Sequence, residues 1–323
     1  YAVVLRPLPF PDARELVALH TYFEPLGRNR VPSSPSEFLD IQQQNQSFSK
    51  VAALSWGNVN VSSMQRGGQG EAIYATGATV SLEFFRLLGL APALGRDCAA
   101  GEDQPGAAPV VILSESFHRR AFGGAPDAIG QSIDIDGTPR TIIGVLPRVY
   151  EELPFGYATG TIRTPHEVWM PLVFDEQCLD PGERNWRYLQ VFGRLRSDVT
   201  FEAASADIDR IARSFYRAFP SSYQRETGFG LYLEPLHDYT ARLMGRVLWL
   251  LLGAVALVLL AACANAASLS LARLVSRRRE IAVRAVLGAT AGRIALQFLV
   301  ESVIVALAAG VLGVIIGRAG LGG

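Results

Sequence analysis

The sequence predicts an α+β domain followed by transmembrane α-helices. Three observations lead there. Residues 247–272 read VLWLLLGAVALVLLAACANAASLSLA, with no formal charge. A second apolar stretch, 294–317, is interrupted only by Glu301. The roughly 240 residues before them are long enough for one or two subdomains and alternate strand-like and helix-like runs separated by turn residues.

At 1.5 Å per residue the first stretch makes a helix of about 39 Å, enough to cross a bilayer core of about 30 Å with tilt. A buried helix of a soluble protein rarely runs so far without a polar face. Arg242 and Arg246 precede the stretch. Between the two stretches stand Arg273, Arg277, Arg278, Arg279, Arg284 and Arg293 against one acid, Glu280. Short basic loops stay in the cytoplasm, so residues 1 to about 245 are expected on the opposite side.

The zero net charge hides an asymmetry: residues 1–246 carry 23 Lys+Arg and 28 Asp+Glu, net −5, and residues 247–323 carry 7 and 2, net +5. The mildly acidic larger part excludes a nucleic-acid binder by charge. The first residue is Tyr1, and no n-region, h-region and cleavage site follow it. The simplest expectation is then an earlier transmembrane helix ahead of this stretch to export the larger part, and the end GRAGLGG reads as cut just past a span.

Taken in order, Pro7, Pro9 and Pro11 exclude a helix and suggest an extended segment, after which Leu16, Val17 and Leu19 read as a strand. Ser34 or Ser36 caps a helix over 35–44 with Phe38, Leu39 and Ile41 on its apolar side. Residues 51–61 and 71–80 read as strands. Ser81 opens a helix with Phe84, Phe85, Leu87 and Leu88, stopped at Gly89. The run APVVILS (108–114) is a short buried strand, and Ser114 and Ser116 cap a helix holding Phe117 and Phe122.

Residues 133–145, IDIDGTPRTIIGV, predict a β-hairpin by alternation and by the Asp136-Gly137 turn. The same alternation puts Asp134 and Asp136 on the solvent face, and the further ligands of a calcium loop are absent. Residues 150–185 are irregular, broken by an apolar run over 168–173. Residues 188–195 read as strand, Thr200 caps a helix to Phe219 with Ala204, Ile208, Ile211 and Phe215 at helical spacing, and 230–236 is strand again: a βαβ-like unit. No internal repeat or low-complexity tract is present.

Catalytic motifs are missing. The single lysine, Lys50, follows no glycine-rich run, so the chain is no P-loop ATPase. GxSxG and HExxH do not occur. His20, His118, His166 and His237 lack ligand spacing and read as satisfied surface or edge residues. Cys98, Cys178 and Cys263 form no metal or redox spacing; Cys98 and Cys178 could pair in an oxidising compartment, or stand as isolated small residues. No enzyme, metal site or cofactor of its own is therefore expected.

The loop segment 276–294, SRRREIAVRAVLGATAGRI, has an apolar side of Ile281, Val283, Val286 and Leu287 and a charged side of Arg278, Arg279 and Arg284. Gly288 can end this helix and Thr290 cap the next. Three readings stand: an interfacial lipid contact, topology-setting charge, or a docking element for a cytoplasmic partner. Glu301 lies about 12 Å past Arg293 along a helix. It is either functional or a snorkelling, helix-pairing carboxylate; Asn265, Ser268 and Ser270 face the same choice and suit packing between helices.

Arg279, Glu280, Ile281, Arg284, Gly288 and Ala289, followed by QFLVESVIVALAAGVLGVIIG, resemble the FtsX-like permease domain of MacB-type ABC transporters. The run IGQSIDIDGTPRTIIGVLP (129–147) resembles that family's periplasmic core domain, and LRPLPFPDARELV (5–17) with LLAACANAASLSLARLVSRRRE (259–280) looks most like its acidobacterial duplicated members. The resemblance implies a periplasmic α+β domain in which a porter-like α/β subdomain carries a smaller, β-rich insertion. It implies the division 1–24 extended segment after a missing helix, 25–240 periplasmic core domain, 247–272 transmembrane helix, 273–293 cytoplasmic loop, 294–317 transmembrane helix and 318–323 truncated end. It further implies that Arg277, Arg278, Arg279, Glu280, Ile281, Arg284, Leu287 and Gly288 form a coupling helix on a separate ABC ATPase, the only user of ATP. Mechanotransmission across an inner membrane, contact with lipid, and a homodimer or pseudo-dimer with a second permease half follow from the same likeness. A membrane-anchored periplasmic binding or sensor module without an ATPase is the competing expectation.

Overall fold

The structure is a computed structural model that describes residues 8–24, 27–62, 73–150 and 165–276, with Val300 and Gly313. It divides into two compact units, Tyr1–Val247 and Leu248–Gly323. The described strands of the first unit are β1 (Leu16–Phe23), β2 (Arg28–Val31), β3 (Phe48–Ser62), β4 (Ile73–Val80), β5 (Leu94–Gly95), β6 (Val110–Leu113), β7 (Ser132–Ile135), β8 (Thr138–Val145), β9 (Val168–Pro171), β10 (Gln190–Leu195) and β11 (Phe229–Pro235). The described α-helices are α1 (Pro35–Gln44), α2 (Phe84–Leu88), α3 (Glu115–Phe122), α4 (Phe201–Ala218) and α5 (Leu236–Ser276).

Three of the described helices, α1, α3 and α4, start where a side chain takes an otherwise unpaired backbone N–H. Ser34, Ser114 and Thr200 accept from the amides of Glu37, Phe117 and Ala203. At α1 the arrangement is reciprocal, because the Ser34 amide donates to the Glu37 carboxylate at 2.9 Å. Gly89 and Gly123 end α2 and α3 in the left-handed conformation. Helix α2 starts at Phe84 rather than at Ser81, whose hydroxyl instead accepts from the Ala53 amide at 2.9 Å.

Along the sheet the order is β11-β1-β10-β3-β4-β9-β6-β8-β5. Strands β10 and β11 both run antiparallel to β1, which lies between them. They are therefore parallel to each other, with α4 as the crossover: the βαβ unit expected from the sequence is split by a strand from the chain's beginning.

Strand β3 is 15 residues long and changes partners along its length. It pairs β10 from Phe48 to Leu54, β4 from Leu54 to Val61, and β7 at Val61 and Ser62. Strand β4 pairs β9, β9 pairs β6, β6 pairs β8, and β8 pairs β7. The pairings thus return to β3 and close a ring of strands, which removes free edges there. Alternate residues fill it: Val59, Val61, Val111, Leu113, Ile133, Ile135, Ile142 and Val168, with Phe117 of α3. The β7–β8 turn closes through Asp136 at φ 51° and Gly137 at φ 80°, the left-handed pair that a two-residue hairpin turn needs.

Outside the ring the sheet is covered on both faces. One face packs on α1 and α4 through Phe38, Ile41, Val191, Ile208, Ile211 and Phe215. The other buries Phe84, Phe85, Trp169, Phe192, Leu236 and Tyr239. Each such side chain contributes about 1.5–3 kcal/mol when fully removed from water.

Three histidines depart from the expected surface setting: His20, His118 and His166 are buried. His20 lies against Tyr232 and Tyr239, His166 against Trp169 and His118 against Phe122, and the His118 ring reaches the Ala125 carbonyl at 2.9 Å. Cys98 is buried, Cys178 half-buried and Cys263 exposed, all as free thiols.

Candidate functional site

Helix α5 follows β11 with no residue between, Pro235 ending the strand and Leu236 opening the helix. It starts well before the apolar stretch because its first turn belongs to the core of the first unit: Leu236, Tyr239 and Thr240 are buried. Its later residues Leu252–Leu269 are apolar and long enough to cross a membrane, and none of them is buried. Leu252, Val255, Leu257, Val258, Leu259 and Leu260 all point outward, a surface suited to lipid or to other helices rather than to water.

Of the residues singled out in the sequence, Asn265 lies on α5 and is exposed. The nearby Ser268 hydroxyl donates to the Ala264 carbonyl at 2.9 Å, which satisfies it within the helix. Arg277, Arg278, Arg279, Glu280, Ile281, Arg284, Leu287, Gly288 and Glu301 lie outside the described residues, as does most of the second apolar stretch. Asp134 and Asp136 serve the hairpin: Asp134 accepts from the Gly137 amide at 2.9 Å, and Asp136 accepts from the Asn60 amide at 2.9 Å.

Beside the start of α5 stands a polar cluster that sequence reasoning missed. The His20 ring centroid lies 5.2 Å from that of Tyr232 and 5.4 Å from that of Tyr239. His20 Nε2 is 3.3 Å from Glu234 Oε2, which accepts from Arg30 Nε at 3.1 Å. Burial, and then the Arg30 charge, lower the His20 pKa to about 4, so the ring is neutral at neutral pH. The register of β1 on β11, Ala18 opposite Glu234 and His20 opposite Tyr232, puts these groups on one face.

A second cluster joins α1, α4 and the segment before β10. Glu37 is fully buried and accepts from Arg187 Nη2 at 2.8 Å and from the Tyr223 hydroxyl at 2.8 Å. Arg184 pairs with Asp40, donates to the Tyr223 hydroxyl at 3.2 Å, and lies 3.7 Å from the Phe219 ring centroid. Burial, followed by the Glu37 charge, pushes the Tyr223 hydroxyl pKa up. The capping pattern Ser34-Pro35-Ser36-Glu37 was the one local signal for this cluster; its arginine partners are about 150 residues away in sequence and carry no such signal.

In the second cluster the buried charges of Glu37, Arg184 and Arg187 are paired with one another or with Asp40 and Tyr223. Within the first unit, the last strand of the sheet runs straight into the first turn of α5.

Comparison with known proteins agrees. Residues 7–211 match the family model of the MacB-like periplasmic core domain, and residues 252–321 that of the FtsX-like permease C-terminal region. The macrolide export ATP-binding/permease protein MacB of Burkholderia pseudomallei (strain 1710b) is 27% identical over 269 residues, 83% of this chain and 36% of that protein. The protein of the same name from Salmonella typhi is 25% identical over 270 residues, covering 83% and 37%. This chain thus spans about a third of the length of these relatives. A domain of a protein described as a permease from Porphyromonas gingivalis superposes with TM-score 0.50 at 16% identity, over 70% of this chain and 92% of that one, which shows the fold. The periplasmic region of MacB from Actinobacillus actinomycetemcomitans reaches TM-score 0.48 at 12% identity, over 75% and 97%. With its mixed α/β body matched by the one family model and its apolar helix and basic loop by the other, the chain belongs to the MacB/FtsX-type family of ABC transporter permeases.

Proposed function

We propose that the chain is the permease part of an ABC-type system that couples a separate cytoplasmic ATPase to a periplasmic domain in the manner of mechanotransmission. The observation that carries this reading is the junction at Pro235–Leu236: a sheet strand passes into the apolar helix without a linker, and the first helical turn is part of the core. A displacement of that turn would disturb the sheet, because close-packed interiors do not absorb shifts smoothly.

Under this reading the first unit is periplasmic, α5 crosses the inner membrane, and the basic segment from Arg277 to Gly288 docks on the ATPase. The positive charge of the loop supports that orientation. The relatives' names join ATP binding to permease activity; residues 1–323 hold one lysine and no P-loop, so under this reading ATP is bound outside this stretch, by a separate ATPase. A homodimer, or a pseudo-dimer with a second permease half, would supply the paired docking segments, and Glu301 and Asn265 would face other spans rather than lipid.

The test uses the tagged full chain purified from membranes. A P-loop ATPase should co-purify and be lost on Arg279→Ala with Glu280→Ala. Cysteines placed in the loop and on the first unit should label from opposite sides of the membrane. Labelling from one side, or an intact chain that retains no ATPase, overturns the reading and leaves a membrane-anchored binding module.

A further inference from the structure

An open cleft of about 340 Å³ lies on the first unit, lined by Glu115, Ser116, Arg119, Arg120 and Arg148. Its volume is at the lower end of sites that hold small molecules. Four of these residues lie on the first turns of α3, and Arg148 begins the short 3-10 turn Arg148–Tyr150 after β8. Phe117 anchors α3 in the closed ring, and the β6–β8 pairing brings the end of β8 alongside.

The lining is predominantly cationic, three guanidinium groups against one carboxylate. Arg120 is held in place: its Nη1 donates to Glu167 at 2.7 Å, and its guanidinium lies 5.1 Å from the Phe117 ring centroid. Arg119 is paired with Glu115 one helical turn back. Each of these contacts uses one of the five donors that a guanidinium carries. Exposed ion pairs of this kind are worth about 0–1 kcal/mol and exchange readily. Arg148 is exposed, with no hydrogen bond or ion pair among the described residues.

We propose that this cleft binds a phosphate-type oxyanion, with Arg119 and Arg148 as the principal donors and Arg120 as a fixed third. A planar guanidinium matches two oxygens of such a group at once. A carboxylate is saturated by one or two such forks. Inorganic phosphate has enough terminal oxygens to engage three arginines converging from two elements, and a phosphodiester, with two non-bridging oxygens and two weaker ester acceptors on a tetrahedral centre, can still meet guanidinium groups from both elements. The phosphate can be free in solution or the headgroup of a phospholipid. This site is independent of ATPase coupling.

The experiment is calorimetric titration of the full chain, held in nanodiscs of zwitterionic lipid. One arm adds inorganic phosphate, and the other adds glycerophosphoglycerol, the water-soluble headgroup of phosphatidylglycerol. Saturable binding is expected in at least one arm, weakening with salt. Arg148→Ala and Arg119→Ala should each lower the affinity at least about tenfold, the loss of one charge-assisted contact. Arg148→Lys should fall between, keeping the charge without the fork. Arg217→Ala, an exposed change on α4, should have no effect. Stronger binding of inorganic phosphate assigns the free anion, and stronger binding of the diester assigns the lipid. Absence of saturable binding in both arms, or equal affinity in the Arg148→Ala chain, overturns the proposal. Both altered arginines are exposed, so an unchanged melting temperature separates lost binding from lost folding.

Discussion

Arg187 places both Nε and Nη2 on a single oxygen of Glu37, at 3.1 and 2.8 Å, with side-chain exposures of 8% and 0%. A buried charge is tolerated only when paired and hydrogen-bonded. Glu37→Ala leaves that guanidinium uncompensated and also removes the carboxylate from the Ser34 cap. Unfolding by denaturant should show a loss of about 3–5 kcal/mol. Glu37→Leu with Arg187→Met should recover much of it, since replacing both partners by apolar groups avoids the orphaned charge. A double variant no more stable than Glu37→Ala would count against the pairing as the cause.

Arg184 tests shape rather than charge. It lies against Phe219, with Phe215 and Tyr223 within 5.5 Å of its guanidinium carbon, and pairs with Asp40. Arg184→Lys preserves the charge but loses the flat stacking surface and the fork. A loss of about 1–2 kcal/mol is expected in the same measurement. Full stability in the lysine variant would reduce Arg184 to a simple ion-pair partner.

His20 makes stability depend on pH. Its folded pKa of about 4 lies below the ordinary value of 6.5, so between these values the unfolded chain binds the extra proton. Above pH 6.5 both states are neutral and the ring imposes no cost. As pH falls from 6.5 to 4 the folded state loses stability, by on the order of 3 kcal/mol in total. Melting curves of the wild type and His20→Phe should diverge in that window and run parallel above it. Identical slopes would mean the ring is protonated in the folded protein.

Two glycines separate backbone strain from steric conflict. Gly137 sits at φ +80° with no atom within 4 Å of where a Cβ would go. Gly137→Ala should cost about 1 kcal/mol of conformational strain. Gly95 sits at φ +73°, and there a Cβ would come 2.2 Å from the Ile143 carbonyl oxygen. Gly95→Ala should be the more damaging by about 2 kcal/mol or more, because β5 must then leave β8. Thermal melts of the two variants read the order directly.

Burial, with the Asp97 and Glu102 charges, pushes the Cys98 thiol up to about 12. Only the thiolate reacts, so at pH 8 Cys98 should resist maleimide in the folded chain and react on denaturation. Rapid modification without denaturant would show that the segment around it opens locally.

Much of the fold was legible because its signals are local. The α1 boundaries followed from Ser34, Pro35 and an apolar stripe, and those of α4 from Thr200 and the spacing from Ala204 to Phe215. The β7–β8 hairpin followed from Asp136-Gly137. Each signal acts over two to four residues, the reach of a cap, a turn or a helical repeat. The extent of β3 was less legible: expected over 51–61, it runs from Phe48 to Ser62, since its ends are defined by partners rather than by its own pattern. Of the candidate site, the basic loop motif falls inside the stretch matched by the FtsX-like family model, and Asn265 lies exposed on its helix. His20, His118 and His166 were misjudged, while His237 is exposed as expected, because a ring's burial depends on what packs over it.

The amino-acid order alone determined the local elements, the caps that bound them, the uncharged stretch fit to cross a membrane and the arginines beyond it. These depend on a residue's own chemistry and that of its near neighbours. Only the tertiary structure decided that β1 would part β10 from β11, that β7 would close a ring against β3, and that Glu37 would meet Arg187 across 150 residues of chain. Strand pairing and buried ion pairs are chosen by competition among distant segments for the same backbone groups and the same dry space. That choice leaves no mark on any short stretch of sequence.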